Sequence, residues 1–352
     1  MREGQTQYRP RTMRSLAIAE RKGASFSARP LRSAIERLQM AQDDYHQPVL
    51  ERAIVEFFAS QSAGVLVDAT LGGGGHSAAL LAAAPERRIL GIDRDPEARA
   101  ASEKRLDGFG QRVRVVAATF ATMADVVTQR ADFLHGQPVT GVLMDLGVSS
   151  HQLDESSRGF SFRVDAPLDM RMDPSQGVTA AQYLQSADLH DFVRLLRANG
   201  EDRFAGAIAR SILEKKPQST GELTEAVERA VPMAARRRGH VATRVFQALR
   251  IVVNDEVEQL ELGLEAAIDI LVPGGLLAVI SYHSGEDRTV KNFLREGSTG
   301  GCRCSYELGC VCGAVPTVTI TRTSALLATA KEVEANPRSR SARLRTAQKV
   351  IS

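Results

Sequence analysis

Apolar positions recur with two different periods along this chain of 352 residues. In HQPVLERAIVEFF, starting at His46, Val49, Leu50, Ile54, Val55 and Phe58 fall at helical spacing behind Pro48, which predicts a first helix. Short apolar runs follow. VLVDAT (65–70), RILGID (88–93), RVRVVAA (112–118), GVLMDLG (141–147) and LLAVISYHS (276–284) each predict a strand, the last one entered through the turn signal PGG. HSAALLAAA and PEARAASEKRL between them predict helices, the second with Pro96 in its first turn. Strands alternating with helices predict an α/β fold with a parallel sheet covered on both faces. TVTITRT and ARLRTAQKV near the end predict a closing antiparallel pair.

About 130 residues separate the fourth strand from PGGLLAVIS, and most of them read as helix, ending in the long run HVATRVFQALRIVVNDEVEQLELGLEAAIDIL. One crossover needs far less chain. The expected organisation is an α/β core of 43–150 and 246–352 carrying an all-helical insert at 151–245. Residues 1–42 lack sustained periodicity and predict a disordered arm.

Charge adds little globally and something locally. Lys plus Arg number 45 against 42 Asp plus Glu. Residues 1–40 nevertheless hold nine basic and three acidic side chains, and the stretch from Asn336 holds Arg338, Arg340, Arg343, Arg345 and Lys349 with no acid. Both ends suit a polyanion or a solvated tail. No apolar run approaches the roughly 20 residues of a membrane span, and no signal-peptide core opens the chain; the expectation is a soluble cytoplasmic protein.

The stretch DATLGGGGHS (68–77) carries the first candidate chemistry. Glycines between a strand and a helix let a ligand approach the backbone and the unpaired N–H groups of the helix start. A flexible turn is the bland alternative. A phosphate-binding P-loop needs Lys after its last glycine, and His76 stands there instead. The dinucleotide pattern G-x-G-x-x-G fits Gly72 and Gly74 but meets Ser77 at its third glycine. S-adenosylmethionine sites use such glycines together with an acid ending the second strand. Asp93 is that acid, nineteen positions after Gly74, although a helix cap is its other reading. Asp145 ends the fourth strand at the carboxyl edge, where open α/β sheets bind ligands. A carboxylate there can hold a hydrogen of an exocyclic amine and aim the nitrogen at a methyl group.

DATLGGGGHS, GIDRDPEA, MDLGVSSHQLDESSRGFSFRVDAPLDMRMDP, ATRVFQALRIVVNDE, ISYHSGEDRTVK and NPRSRSARLR together resemble the bacterial 16S ribosomal RNA cytosine-N4 methyltransferases of the MraW type, from about His46 to Arg345. The resemblance implies a Rossmann-like, S-adenosylmethionine-dependent methyltransferase domain with an inserted helical domain that recognises RNA. It implies a decoding-centre cytidine, methylated on N4 within 16S ribosomal RNA of the 30S subunit, as substrate. Carried onto matching positions, it implies cofactor contacts at Gly74, Gly75, His76, Asp93, Phe120, Asp145 and Gln152. The chain departs from the family pattern at His151, Ala166, Tyr282 and Gly285. Ala166 replaces a glycine in the turn before PLDMRM, and Tyr282 keeps an aromatic.

The remaining candidates concern the target. RGFSFRVDAPLDMRM offers Arg158, Phe160, Phe162, Arg163 and Arg171 for phosphates and an extruded base; alternatively Arg171 pairs with Asp169 or Asp173. Tyr282 or His283 is expected to stack on or hydrogen-bond to the cytosine, with Asp145 the third catalytic candidate, while a satisfied loop histidine is the other reading of His283. Arg236, Arg237 and Arg238 suit RNA phosphates or an exposed helix end. Cys302, Cys304, Cys310 and Cys312 give C-x-C-x5-C-x-C, a zinc site if four thiolates converge, otherwise reduced thiols or a redox pair. Two competing functions stay open: a nicotinamide-dependent dehydrogenase and a non-catalytic assembly factor that keeps S-adenosylmethionine as a structural ligand. Monomer and homodimer are equally open.

Overall fold

Three of the apolar runs reach an aspartate, and each aspartate is the last residue of a strand: β1 Val65–Asp68, β2 Arg88–Asp93 and β4 Val139–Asp145. The structure, a computed structural model, describes residues 48–61, 63–233, 241–304 and 311–351. The arm expected at 1–42, Arg236 to Arg238 and Cys310 lie outside them.

β1, β2, β3 (Val113–Ala117), β4 and β5 (Leu271–Ser281) pair in parallel in the order β3-β2-β1-β4-β5. Every residue of β1 is buried, as a central strand of a parallel sheet requires. The sheet closes as expected. β6 (Val318–Ile320) and β7 (Leu326–Leu327) lie along one side of β8 (Arg343–Lys349), which runs antiparallel to β5 on its other side. This is a Rossmann-like α/β sheet. The chain order reverses between β1 and β4, so a crevice opens beyond their carboxyl ends.

The period-two side chains divide the core in two. Val65, Val67, Val142, Met144, Leu277 and Val279 face Leu260 and Leu264 of the helix Glu256–Ile270 and Met123 of the helix Met123–Gln129. Leu66, Leu143, Ala278 and Ile280 face Ile54, Phe58, and Leu80 and Leu81 of the helix Gly75–Ala83. A third cluster belongs to the insert. Phe160, Leu168, Phe192, Ile208, Leu223, Phe246 and Leu249 are buried together. They join helices whose starts carry side-chain caps: Thr179 with Gln182 in a capping box, Asp188, and Ser219.

Two expectations shift. The long helical run divides into Val241–Val253 and Glu256–Ile270, broken at Asp255, whose φ of 51° is left-handed. The first half packs in the insert cluster and the second on the sheet, so the boundary expected at 245 falls inside a helix. β5 begins at Leu271 rather than 276. PGG is an irregularity within it, where pairing jumps from Leu271 opposite Val139 to Leu276 opposite Gly141.

Candidate active site

The glycine turn leaves β1 and enters the helix Gly75–Ala83. Gly72 and Gly74 have φ of 51° and 75°, a left-handed region that residues with a Cβ rarely enter. Gly74 caps the helix, and its Cα backs onto Leu106 and Ser102 of the helix Pro96–Leu106. The cavity is lined by Gly72, Gly73, Gly75 and His76, not by Gly74. The four glycines thus have different reasons: Gly72 and Gly74 make the left-handed turn, a Cβ on Gly74 or Gly75 would crowd Leu106 or Pro48, and Gly72, Gly73 and Gly75 line the cavity.

Asp93 reaches the same cavity. Its Oδ2 accepts from Gly72 N–H at 2.8 Å and its Oδ1 from Asp95 N–H at 2.8 Å. Burial nevertheless pushes its carboxyl upward, against those two donors. The helix cap is Asp95, whose Oδ1 accepts from Glu97 N–H. Phe120, Asp145, Gln152 and Tyr282 also line the cavity, which has a volume of about 600 Å³, inside the range that holds a nucleoside-sized ligand.

Asp145 is fixed from several sides. Thr70 Oγ1 accepts its backbone N–H at 2.5 Å, and Tyr282 Oη donates to Oδ1 at 2.8 Å. His76 Nδ1 lies 3.7 Å from Oδ2. His76 Nε2 sits 2.8 Å from the Val49 carbonyl, which only accepts, so Nε2 carries the ring proton and Nδ1 faces the carboxylate. Burial pushes Asp145 up to about 7, with Glu286 adding to it and the Tyr282 hydrogen bond opposing it. Tyr282 is held well above its ordinary value by burial and by Asp145, which keeps its hydroxyl a donor. Asp68, buried at the end of β1 with Ser77 Oγ donating at 2.6 Å, is pushed by burial to about 6.

Unfolded aspartate titrates near 3.8, folded Asp145 near 7. Between those values the folded chain keeps a proton that the unfolded chain has lost, so this group's contribution is complete below 3.8 and is lost as pH rises through about 7. Asp68 acts in the same direction. Asp145→Asn is expected to flatten part of that decline, read from denaturation midpoints at the two ends of the window. An unchanged slope would show that Asp145 does not titrate there.

Several expected site residues are placed elsewhere. His283 does not line the cavity. It caps the helix Ser284–Thr299, its Nδ1 accepting from Gly285 and Glu286 N–H, and its Nε2 lies 3.2 Å from Glu286. Burial lifts the Glu286 carboxyl, but His283, Arg250 and the Tyr282 N–H outweigh it and hold it low. Arg158 is buried, with 7% of its side chain exposed. It pairs with Asp95 at 3.1 Å and Glu97 at 2.9 Å and donates to the carbonyls of Arg171 and Met172. It neutralises a buried carboxylate rather than reaching for phosphate. Phe160 is buried in the insert cluster. Arg171 forks onto both oxygens of Asp169, as the structural alternative expected. Phe162 and Arg163 are exposed, Phe162 packing edge-on to Phe246, but neither lines the cavity. Gln152 lines it while spanning Asp95 and Ser149 N–H.

The residues that sequence reasoning missed join the cavity to the rest of the fold. Thr70 is one. Arg94 is another: it donates to the Asn254 carbonyl at 3.2 Å and meets Met172 Sδ at 2.7 Å. Arg250 forks onto Glu256 at 2.7 Å through Nε and Nη2, and both residues line the same cavity. Arg338 and Arg340 stand at its wall from the far end of the chain. Only the basic run after Asn336 hinted at the last pair.

The MraW methylase family matches residues 43–350. The chain is 46% identical over 313 residues to Ribosomal RNA small subunit methyltransferase H of Heliobacterium modesticaldum, covering 87% of this chain and 99% of that one. It is 44% identical to the protein of the same name from Geobacter sp. strain M21, over 88% and 100%. A solved rRNA methylase from Streptococcus thermophilus aligns with 14% identity and a TM-score of 0.36 over 85% of this chain and 96% of that one. These matches displace the dehydrogenase reading. No helix among the described residues is long and apolar enough to cross a membrane. The chain belongs to the MraW methylase family and is an S-adenosylmethionine-dependent methyltransferase.

Proposed function

We propose that the chain methylates N4 of a decoding-centre cytidine in 16S ribosomal RNA, acting in the cytoplasm on RNA carried by the 30S subunit. The relatives' name supports the RNA, and the placement of Asp145 supports the amine. The observation that carries the reading is a carboxylate at the end of β4, bonded by the Tyr282 hydroxyl and with its backbone N–H tied to Thr70, on the wall of a cavity that the glycine turn also lines.

The cavity fits the donor. Gly72, Gly73 and Gly75 present backbone without side chains, Asp93 offers a carboxylate for ribose hydroxyls, and Phe120 offers an apolar ring. Asp93, Phe120, Gln152 and the backbone of Gly75 and His76 would hold it. When bound, S-adenosylmethionine supplies a methyl group on an electron-poor sulfur. The chain's own work is positioning. Asp145 Oδ2, left free of Tyr282, accepts one hydrogen of the exocyclic amine and turns the nitrogen lone pair toward the methyl. The nitrogen gains the methyl and sheds a proton, which the Asp145 carboxylate, already holding that hydrogen, would accept. A base in a duplex cannot reach this depth, so the cytidine enters unstacked. None of the described cysteines lines the cavity, so what they bind stands apart from the transfer.

The test is to methylate 30S subunits and naked 16S RNA with labelled S-adenosylmethionine and map the product. One cytidine labelled on N4 is expected. Label on another base or atom, or none from folded protein that takes up the donor, defeats the reading. The second result would favour the assembly factor.

A further inference from the structure

We propose that Cys302, Cys304 and Cys312 form a structural zinc site that closes the surface loop between the helix Ser284–Thr299 and β6. The proposal is independent of the transfer chemistry.

The sulfur atoms of these three cysteines all lie within 4.8 Å of one another, and none is in a disulfide. Thiolates on a tetrahedral zinc, with bonds near 2.3 Å, stand about 3.8 Å apart. Small inward movements would complete that geometry. The backbone also points inward: Cys304 N–H lies 3.4 Å from Cys302 Sγ, a donor aimed at a sulfur, as metal-bound thiolates require for their excess charge.

The surroundings explain why a metal is needed. Both ends of the loop are pinned. Thr317 N–H donates to the Gly297 carbonyl at 2.9 Å, and Gly301 N–H to the Glu296 carbonyl at 3.0 Å. Gly300, at φ 60°, passes so close to Val315 that a Cβ would stand 2.5 Å from its backbone. The described part of the loop between these pins has no core of its own. Val311 is 88% exposed and Val315 74% exposed. A segment without apolar burial has little to offset its chain entropy, and a metal with convergent thiolates is the usual substitute. Cys310 repeats the C-x-C spacing in the sequence but lies outside the described residues, and the proposal does not depend on it.

Thiolate chemistry selects zinc over magnesium or calcium, which take oxygen ligands. The full chain would be purified without a metal-affinity step from zinc-supplemented cells and analysed by elemental mass spectrometry. About one zinc per chain is expected, falling at least tenfold in Cys304→Ser and Cys312→Ser. Apo protein titrated with cobalt is expected to show the visible bands of tetrahedral thiolate coordination. This wild-type titration decides the matter even if a serine variant fails to fold. Absent bands together with freely titrating thiols, or a disulfide among these cysteines in non-reduced peptide maps, would overturn the proposal. Retained metal in both folded serine variants would do the same.

Discussion

Asp145→Ala is expected to abolish methyl transfer while leaving uptake of S-adenosylmethionine measurable by calorimetry. The groups proposed to hold the donor are mainly backbone at the glycine turn and Asp93, and the Asp145 carboxylate bonds to neither. The amine, by contrast, has no other carboxylate at the end of β4, the strand beside the turn of direction in the sheet. Asp145→Asn keeps the shape and the Tyr282 partner but removes the charge that receives a proton. A loss of roughly 10²- to 10⁴-fold in kcat is expected there, the range in which proton transfer by a placed side chain contributes. In the native protein kcat/KM should climb as pH rises through about 7, where Asp145 becomes a carboxylate. Full activity in the alanine variant would remove Asp145 from the reaction. Lost donor uptake would make it a binding residue instead.

The second large effect concerns folding, at a residue whose sequence context suggested RNA. Arg158→Ala strands the carboxylate of Asp95, which is 1% exposed and shares its oxygens among Arg158, Gln152 and the Glu97 N–H. Removing one partner of a buried pair costs about 3–5 kcal/mol. Two backbone carbonyls, of Arg171 and Met172, lose a donor as well. Chemical denaturation should show that loss. Arg163→Ala, an exposed neighbour, should stay within about 0.5 kcal/mol of wild type. If Arg158 instead served phosphate, its loss would leave the denaturation midpoint alone and flatten the salt dependence of RNA binding.

The strands were legible because burial on both faces forces continuous apolar runs, and RILGID fell on β2 without error. PEARAASEKRL was legible because Pro96 marks a first turn. The break at Asp255 was harder to see. Asn254 and Asp255 interrupt an otherwise strongly helical run, and the low helix propensity of both was the available signal. In the site, strand-end acids announce themselves through topology, so Asp93 and Asp145 were readable. The duties of Arg158 and Arg171 were not, because an arginine in a loop looks the same whether it meets phosphate or a carboxylate. That choice rests on Asp95 and Asp169 arriving alongside, one from another loop and one from two positions away. Thr70 and Arg94 act through contacts tens of residues distant, which no local pattern encodes.

Asn254 sits where the helical insert rejoins the sheet, bonded to the Met170 carbonyl and the Met172 N–H, with Arg94 reaching its own carbonyl. Arg94 directly follows Asp93. Moving Asn254 would therefore pull on the residue beside Asp93. A shift of either Met170 or Met172 is thus passed through one asparagine to the carboxyl edge of β2.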